Sequence, residues 1–364
     1  MLHTVTSELI RFQTEAGKIE EFKKVYAYIE SLLPKDFFCF EYIEHTGILS
    51  QVIFLQGQDW KKARLLLCGH IDVIPAEPSQ YEPRIEDGKI FGRGSIDMKS
   101  GIAAMVLAFK SIVESGGFPS VALLITGDEE IGGENGAGYI SQNFELKPEF
   151  VLVPDGPRVD RMEITNQEKG LLWLKLEANG VAAHGSRPWL GKNAVDLLID
   201  TINHLKEHFG VDNTQGWKTT ISLNKLSTDN QVTNKIPDRA EAVLDIRFTE
   251  EHGLTPHDFF ANIQRQLPSE ITATVISSTA PVSTSKSLTQ LQQLQKIASD
   301  VAGEEIGVGY SDASHDASFF AAKGFPTALI GPVGGNWHGK NEWADLKTME
   351  MLEQILIKYM QAFV

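Results

Sequence analysis

The spacing of apolar positions along the chain predicts an α/β fold. Between residues 3 and 33, apolar side chains recur every three or four positions, which predicts two amphipathic helices. Apolar runs predict four strands, at residues 48–55, 64–68, 121–126 and 150–153. The runs that are almost unbroken are typical of strands covered on both faces. A helical pattern over 102–113 lies between two of these strands, so we predict a central, mostly parallel sheet with flanking helices.

The pattern changes in the middle of the chain. Residues 170–178 alternate in places and residues 240–248 alternate clearly between apolar and polar, which predicts an antiparallel sheet with one solvent face. A helical pattern lies between them, over 194–209. The α/β pattern then resumes with helices and a strand, predicted at 288–302, 317–323, 327–330 and 346–363. We therefore predict that an α+β domain, residues 169–281, is inserted into a first domain formed by residues 1–168 and 282–364.

Composition and charge exclude several classes of protein. The chain has 364 residues, of which 42% are hydrophobic and 22% are charged, so it can form two globular domains. Its formal net charge of -15 argues against nucleic acid as a partner, because that binding depends on clustered Lys and Arg. Its two cysteines lie in no paired metal motif, which fits a reducing compartment. With no basic leader and no long apolar span, the sequence predicts a cytoplasmic protein that binds no membrane.

Histidine and acidic residues lie in turn-like stretches beside apolar, strand-like runs. They are His70, Asp72, Asp97, Glu129, Glu130, Asp155 and His338. Ligands and catalytic groups of open α/β sheets lie at the carboxyl ends of the strands, so this placement indicates a site. Each residue also has a simpler interpretation. His70 and Asp72 can form a structural pair, Asp97 can cap the following helix, and the acidic run that contains Glu129 can be a solvated loop.

The residue types, taken together, point to a metal site. Two histidines and several carboxylates, without a thiolate, suit zinc, manganese or cobalt in a hydrolytic centre. A carboxylate shared by two ions would permit a paired site that activates one water. In a strand, side chains two positions apart face the same way, so we expect Asp72 to lie beside His70 and to orient its ring.

These segments resemble, in order and over nearly the whole chain, the M20 metallopeptidase family of deacetylases, desuccinylases, aminoacylases and dipeptidases. The resemblance rests on Gly69-His70-Ile71-Asp72, Gly92 to Lys99, Thr126 to Glu130, Pro154-Asp155-Gly156, Ala183 to Pro188 and Trp337-His338. It implies two divalent metal ions in each subunit, with zinc favoured. His70, Asp97 and Asp155 would bind one ion, and Asp97, Glu130 and His338 would bind the other, so that Asp97 bridges them.

The resemblance also implies roles for residues that bind no metal. Glu129 matches the general base, and Asp72 would orient His70. His184 matches a residue that reaches across a homodimer interface to the oxyanion. Arg247 and Asn234 match positions that contact polar groups of the substrate. The inserted domain would then be a lid and dimerisation domain.

The implied reaction is hydrolysis of an N-acyl amino acid, and a dipeptidase is the alternative. Asp155 stands where deacylases of the acetylornithine and desuccinylase type usually carry Glu, and Ser318 stands where desuccinylases tend to carry Arg. Both departures argue against succinyl-diaminopimelate as the substrate. Two other classes are a nucleotide-binding oxidoreductase, suggested by the glycines of residues 133–138, and an inactive binding protein on the same fold. The first lacks the complete glycine pattern, and retention of every ligand argues against the second.

Overall fold

The computed structural model describes residues 1–156, 158–252 and 255–364. The chain forms two compact units. The first contains residues 1–167, 283–311 and 315–364, and the second contains residues 168–282 and 312–314.

The secondary-structure elements are numbered in chain order. The helices are α1 (Leu2–Arg11), α2 (Ile19–Ser31), α3 (Ser100–Glu114), α4 (Tyr139–Asn143), α5 (Ala194–His208), α6 (Pro256–Gln266), α7 (Thr289–Ala302), α8 (Ala317–Ala321) and α9 (Leu346–Met360). The strands are β1 (Phe38–His45), β2 (Ile48–Leu55), β3 (Leu65–His70), β4 (Arg84–Glu86), β5 (Lys89–Phe91), β6 (Val121–Thr126), β7 (Phe150–Val153), β8 (Glu163–Glu168), β9 (Gly170–Asn179), β10 (Thr220–Ser227), β11 (Arg239–Phe248), β12 (Ile271–Thr279), β13 (Val282–Ser283), β14 (Gly307–Ser311), β15 (Thr327–Leu329), β16 (Gly334–Gly335) and β17 (Trp343–Asp345).

A large mixed sheet organises the first unit. Its strand order is β1-β2-β6-β3-β7-β15-β8-β13, and β14 pairs with β8. The central pairs β6–β3, β3–β7 and β7–β15 are parallel, whereas β1–β2, β2–β6 and β15–β8 are antiparallel. Every residue of β3, β6 and β7 is buried, as their apolar runs predict. The predicted mostly parallel central sheet is therefore confirmed.

Helix α3 lies in the core of the first unit and fixes the ends of the neighbouring strands. Its residues from Ser100 to Phe109 are all buried, and they include three alanines, a methionine and a leucine, which are strong helix formers. Gly101 lies so close to the end of β7 that a Cβ atom there would be 2.1 Å from the carbonyl oxygen of Pro154. Only glycine permits this approach, which brings the start of α3 against the residue before Asp155.

The second unit has the predicted antiparallel sheet, in the order β10-β11-β9-β12. Leu174 of β9 pairs with Leu244 of β11, and Leu176 pairs with Ala242. These side chains are buried with Leu198 of α5, whereas intervening residues are more exposed. The alternation read from residues 240–248 thus reflects one buried and one more open face of the sheet.

Sequence periodicity missed several elements. It gave no strand for β1, which pairs along its whole length with β2, from Phe38 with Leu55 to His45 with Ile48. β1 is an edge strand and is only partly buried, so apolar alternation is weak there. α6, β10 and β12 of the second unit were missed as well. Asp87 and Gly88 form a hairpin turn between β4 and β5, and both residues have positive φ angles, 48° and 73°, as an Asp-Gly turn favours.

Candidate metal centre

Three parallel strands of the large sheet deliver predicted ligands to one edge. His70 is the last residue of β3 and pairs with Thr126, the last residue of β6. Glu130 follows four residues after β6 ends, and Asp155 lies two residues beyond β7. Because β6, β3 and β7 are parallel neighbours, their carboxyl ends meet, and the side chains that follow them converge.

Two further ligands come from a smaller sheet of the first unit, in the order β16-β17-β5-β4. Asp97 lies in the turn that leads from β5 to α3, and His338 lies in the loop between β16 and β17. β5 and β17 are antiparallel neighbours, with Ile90 opposite Ala344, so the two loops leave the same end of this pair. Asp97 does not cap α3, because the residue before that helix is Lys99 and no side chain caps it.

Asp97 joins two groups of potential metal ligands. His70, Asp97 and Asp155 offer ligand atoms within 4.8 Å of one another, and so do Asp97, Glu130 and His338. Oδ1 of Asp97 is 3.1 Å from Nε2 of His70, and Oδ2 is 3.3 Å from Nε2 of His338. Nε2 of His338 is also 3.0 Å from Oε2 of Glu130. One carboxylate therefore presents a different oxygen to each group.

The charges in the cluster favour a cation. Hydrogen bonds with Asp97 and Glu130 raise the pKa of His338 to about 10. Burial would raise the pKa of Asp97, but hydrogen bonds from His338 and His70 reverse this and lower it. Burial raises the pKa of Asp155 to about 6, and the charge of Asp97 adds to this effect, whereas His315 and His70 oppose it. Carboxylates packed this closely are stable in their charged form only when positive charge lies among them.

Asp72 connects His70 with the acidic loop. Its two carboxylate oxygens accept hydrogen bonds from the backbone N–H groups of Glu129, at 3.2 Å, and Glu130, at 2.9 Å. Nδ1 of His70 is 3.1 Å from the backbone oxygen of Asp72 and 3.4 Å from its Oδ1. β3 ends at His70, but the N–H of Ile71 still donates to the carbonyl of Thr126 at 2.9 Å, so the chain stays beside β6 as it approaches Asp72. The ring of His70 is positioned mainly by the backbone of Asp72, and the carboxylate fixes the loop.

Adjacent residues Glu129 and Glu130 face different partners. Oε2 of Glu129 is 3.9 Å from Nε2 of His70, whereas Glu130 contacts His338. Burial raises the pKa of Glu129 well above its ordinary value, while the charges of His70 and His315 oppose this change. Glu129 therefore lies beside the first ligand group but belongs to neither group.

Within the second unit, the structure brings His184 close to Asn234. The backbone N–H of Gly185 donates to the carbonyl of Asn234 at 2.6 Å, and His184 forms a bridge with Lys235. Nδ1 of the exposed His184 accepts from the backbone N–H of Ser186 at 3.2 Å. Nδ1 is also 2.8 Å from Oγ of Ser186. When Nδ1 acts as an acceptor, the neutral ring carries its proton on Nε2.

Arg247 of β11 is paired within its own strand. Its Nε donates to Oδ1 of Asp245 at 2.9 Å, and its Nη2 is 3.4 Å from the other oxygen. Asp245 lies two positions earlier on the same strand, so both side chains share one face of the sheet. The guanidinium is held in a defined direction by this contact.

The sequence model of peptidase family M20/M25/M40 matches residues 66–362. The chain belongs to this family. It is 27% identical to an uncharacterized metallohydrolase of Methanocaldococcus jannaschii over 93% of this chain and 91% of that protein. It is 30% identical to a succinyl-diaminopimelate desuccinylase of Acidiphilium cryptum over 79% of this chain and 80% of the relative.

Solved structures share the fold. The aminopeptidase PepT of Bacillus cereus superimposes with a TM-score of 0.79 at 17% identity, covering 99% of this chain and 97% of that one. The chain is thus a metallohydrolase of family M20 that acts on amide or peptide bonds. Among the described residues, no helix has the length and apolar character that a membrane span requires.

Membership in family M20 implies divalent metal ions, and the residues fit them. Both carboxylate oxygens of Asp155 are buried and have no hydrogen-bond partner among the described residues. A buried carboxylate without such partners is costly unless it binds a cation. The available donors are imidazole nitrogens and carboxylate oxygens, the set that hydrolytic zinc, cobalt and manganese sites use.

The first unit also places His315 beside the first ligand group. Its Nε2 is 3.9 Å from Oδ2 of Asp155, on the carboxylate that also faces His70. His315 lies between β14 and α8, and β14 is a strand that apolar periodicity does not predict. The next residue, Asp316, ties this loop to the large sheet, because its carboxylate accepts from the hydroxyl of Thr126 at the end of β6.

The glycine-rich stretch of residues 133–138 has a local structural use. Backbone N–H groups of Asn135 and Gly136 donate to Oδ2 of Asp128 at 2.8 and 3.1 Å. A Cβ atom at Gly136 would lie 2.2 Å from Oδ1 of the same carboxylate. The glycine-rich stretch therefore packs closely around the buried carboxylate of Asp128. Membership in family M20 argues against the nucleotide-binding alternative.

Proposed function

We propose that this chain is a two-metal amidohydrolase that removes the acyl group from an N-acyl amino acid. The observation that carries this proposal is the position of Asp97, which offers one oxygen to each of two ligand groups. His70, Asp97 and Asp155 would hold one ion, and Asp97, Glu130 and His338 would hold the other. Bound metal ions would polarise the scissile carbonyl and make water a better nucleophile.

Glu129 is the general base in this proposal. It lies beside His70 without belonging to either ligand group, and burial raises the pKa of its carboxyl group. A carboxylate whose pKa is raised in this way can take a proton from the attacking water and give it to the departing amine nitrogen. Asp72 holds the backbone of Glu129 and thereby sets the position of the base.

The inserted domain, residues 169–281, acts as a lid and as the dimerisation domain. His184 of one subunit completes the site of the other, where its Nε2–H donates to the oxyanion of the tetrahedral intermediate. The hydrogen bond that His184 Nδ1 accepts from Ser186 supports this role, because it leaves Nε2 as the donor. Asn234 and Arg247 contact polar groups of the substrate. The bond from Arg247 to Asp245 leaves Nη1 available to a carboxylate.

Two residues bear on which acyl group the substrate carries. Ser318 is 1% exposed and has a short side chain, so it cannot grip a distal carboxylate as an arginine could. Asp155 stands at the position where several dipeptidases of family M20 carry Asp. Both residues disfavour succinyl-diaminopimelate and keep a dipeptidase as the second candidate.

A substrate panel tests the proposed reaction. The zinc-, cobalt- and manganese-loaded protein is assayed for amine release from acetyl-ornithine, other N-acyl amino acids, succinyl-diaminopimelate and dipeptides. We expect the highest kcat/KM with an N-acyl amino acid that lacks a succinyl group. Faster cleavage of dipeptides would select the alternative, and absence of amide hydrolysis with every metal would refute both.

Two neighbouring substitutions test the assigned roles. Glu129→Gln should retain both metals and lower kcat by about two to four powers of ten, the usual span for a general base. Glu130→Gln should instead weaken the metal bound with His338. Elemental analysis and steady-state kinetics distinguish these results, and metal loss in Glu129→Gln with full loading of Glu130→Gln would reverse the roles.

Subunit mixing tests the role of His184 in trans. His184→Ala and Glu129→Gln should each be nearly inactive as homodimers. After equal mixing and exchange, half of the dimers are hybrids, and each hybrid has one intact site, so activity should recover to about a quarter of the unmutated level. Absence of recovery despite subunit exchange, verified by mass spectrometry, would refute the role in trans.

A further inference from the structure

Glu342 connects the two loops that carry Asp97 and His338. It is 1% exposed and directly precedes β17. Its backbone carbonyl accepts from the N–H of Gly92 at 3.0 Å, which extends the pairing of β17 with β5 by one step. The end of β5 leads to Asp97, and the loop before β17 contains His338. Glu342 therefore lies where the segment that leads to Asp97 pairs with the segment that follows His338.

The side chain of Glu342 holds the turn before Asp97 by its backbone. Oε1 accepts from the N–H of Ile96 at 3.1 Å and from the N–H of Asp97 at 3.3 Å, although these residues are about 246 positions away in the sequence. Oε2 accepts from Nη1 of Arg93, which is 3% exposed. A single carboxylate thus receives three donors from the turn that carries the shared ligand.

The His338 loop is fixed at both of its ends. The N–H of Gly339 donates to the carbonyl of Asn336 at 2.7 Å, and Nε2 of Gln80 donates to the carbonyl of Gly339 at 2.9 Å. His338 itself has a φ angle of 64°, a left-handed conformation that a non-glycine residue adopts only when its surroundings favour it. At the other end of the loop, Glu342 ties the chain to the Asp97 turn.

The two ligand groups depend unequally on this contact. His70 and Asp155 follow strands of the large sheet, so only Asp97 of the first group depends on Glu342. In the second group both Asp97 and His338 lie in segments that Glu342 holds, and Glu130 alone comes from the large sheet. Loss of the contact should therefore disturb the second group more than the first.

We propose that Glu342, neutralised by Arg93, is a positioning residue that sets the affinity of the metal site formed by Asp97, Glu130 and His338. This inference rests on the two metal sites of the proposed function. Glu342 binds no metal itself, and it acts through the backbone of Asp97 and through the loop of His338. Residues that orient metal ligands typically change metal affinity by about 10- to 100-fold when they are replaced.

Glu342→Gln retains the volume but has one acceptor oxygen, so it cannot serve both the backbone donors and Arg93. Arg93 would then be a buried cation without its partner, and its Nε already has no hydrogen-bond partner among the described residues. The double variant Arg93→Met/Glu342→Gln removes that cation and lets the amide oxygen accept from Ile96 and Asp97. Glu342→Asp keeps the charge beside Arg93 but is one methylene too short for the backbone donors.

The test titrates the metal-free full-length chain with zinc by calorimetry and measures bound zinc by elemental analysis. We expect two ions in the unmutated protein. In Glu342→Gln and Glu342→Asp, one ion should bind as before and the other about 10- to 100-fold more weakly. The double variant should regain part of the lost affinity. Hydrogen exchange of the peptide over residues 92–99 should be faster in both single variants, while exchange around His70 stays unchanged.

Glu149→Gln is the matched control, because Glu149 pairs with Arg64 at 2.7 Å on the surface of the same unit. It should behave as the unmutated protein. Two ions of unchanged affinity in Glu342→Asp, or equal weakening of both ions, would overturn the proposal while leaving the proposed function intact. If Glu342→Gln fails to fold, as judged by circular dichroism, Glu342→Asp decides. An unmutated protein that binds fewer than two ions would overturn both proposals.

Discussion

Replacement of Asp72 by Asn should loosen the acidic loop without removing a metal ligand. The carboxylate is 2% exposed and accepts one backbone N–H with each oxygen, from Glu129 and from Glu130. The amide of Asn offers one oxygen, so one of these buried N–H groups loses its acceptor. The remaining bond is made to a neutral oxygen and is weaker.

The magnitude follows from these two bonds. A hydrogen bond to a charged group contributes about 1.5–3 kcal/mol, and a neutral one about 0.5–1.5 kcal/mol. Losing one charged bond and weakening the other should lower the free energy of unfolding by roughly 2–4 kcal/mol. Native proteins are stable by about 5–15 kcal/mol, so the variant should still fold. Because the loop carries Glu130 and Asp72 contacts the ring of His70, we expect zinc affinity to fall by about 10- to 100-fold.

The assay compares Asp72→Asn with Asp59→Asn by thermal and denaturant unfolding of the metal-free proteins and by zinc titration. Asp59 also accepts a backbone N–H, that of Lys61 at 3.2 Å, but it lies at the surface with 40% of its side chain exposed. The control should change stability by at most about 1 kcal/mol, the typical effect of replacing a cap. If both variants unfold alike and bind zinc as the unmutated protein does, Asp72 does not anchor the loop.

Two further predictions concern the shared ligand and the tight helix start. Asp97→Ala should lose both metals, because Asp97 alone faces both ligand groups, and one metal retained at full occupancy in elemental analysis would contradict the bridge. Gly101→Ala should destabilise the first unit by about 1–3 kcal/mol and weaken the metal bound with Asp155, since its Cβ would overlap the carbonyl of Pro154. Ser111→Ala, at an exposed position of the same helix, is the control in unfolding and zinc titrations, and equal stabilities would refute the clash.

Local patterns determined the central part of this fold. The apolar runs that became β3, β6 and β7 are buried on both faces, so almost every position in them is apolar and the signal is strong. α3 was equally clear. β1 was missed because an edge strand is half solvated, and its Glu41 and Glu44 break the alternation. A strand buried on both faces can be recognised from its nearly unbroken run of apolar residues, whereas a partly buried strand has a much weaker apolar pattern.

The ligands of the candidate site could also be predicted from the sequence only in part. Residue type and position at a strand end predicted His70, Glu130 and Asp155, because parallel strands bring their carboxyl ends to one edge. Asp97 and His338 also lie in turn-like stretches, but they reach the site from the antiparallel pair β5–β17. The resemblance to a known family then supplied the pairing of these ligands into two groups. Geometry added which oxygen of Asp97 faces which histidine, a detail that depends on side-chain placement.

Only the tertiary structure revealed the contacts between distant segments. Glu342 reaches Ile96 across about 246 residues, and His315 meets Asp155 from a loop outside the strand pattern. No apolar periodicity marks Glu342 as buried, because it stands between the polar residues Lys340 and Asn341 and the short strand β17. Apolar periodicity indicates which face of a helix or strand is buried. The partners of the buried Glu342 carboxylate, in contrast, depend on how β5 and β17 pair. The sequence by itself therefore determined the elements and the ligand types, and long-range pairing decided what holds the ligands in place.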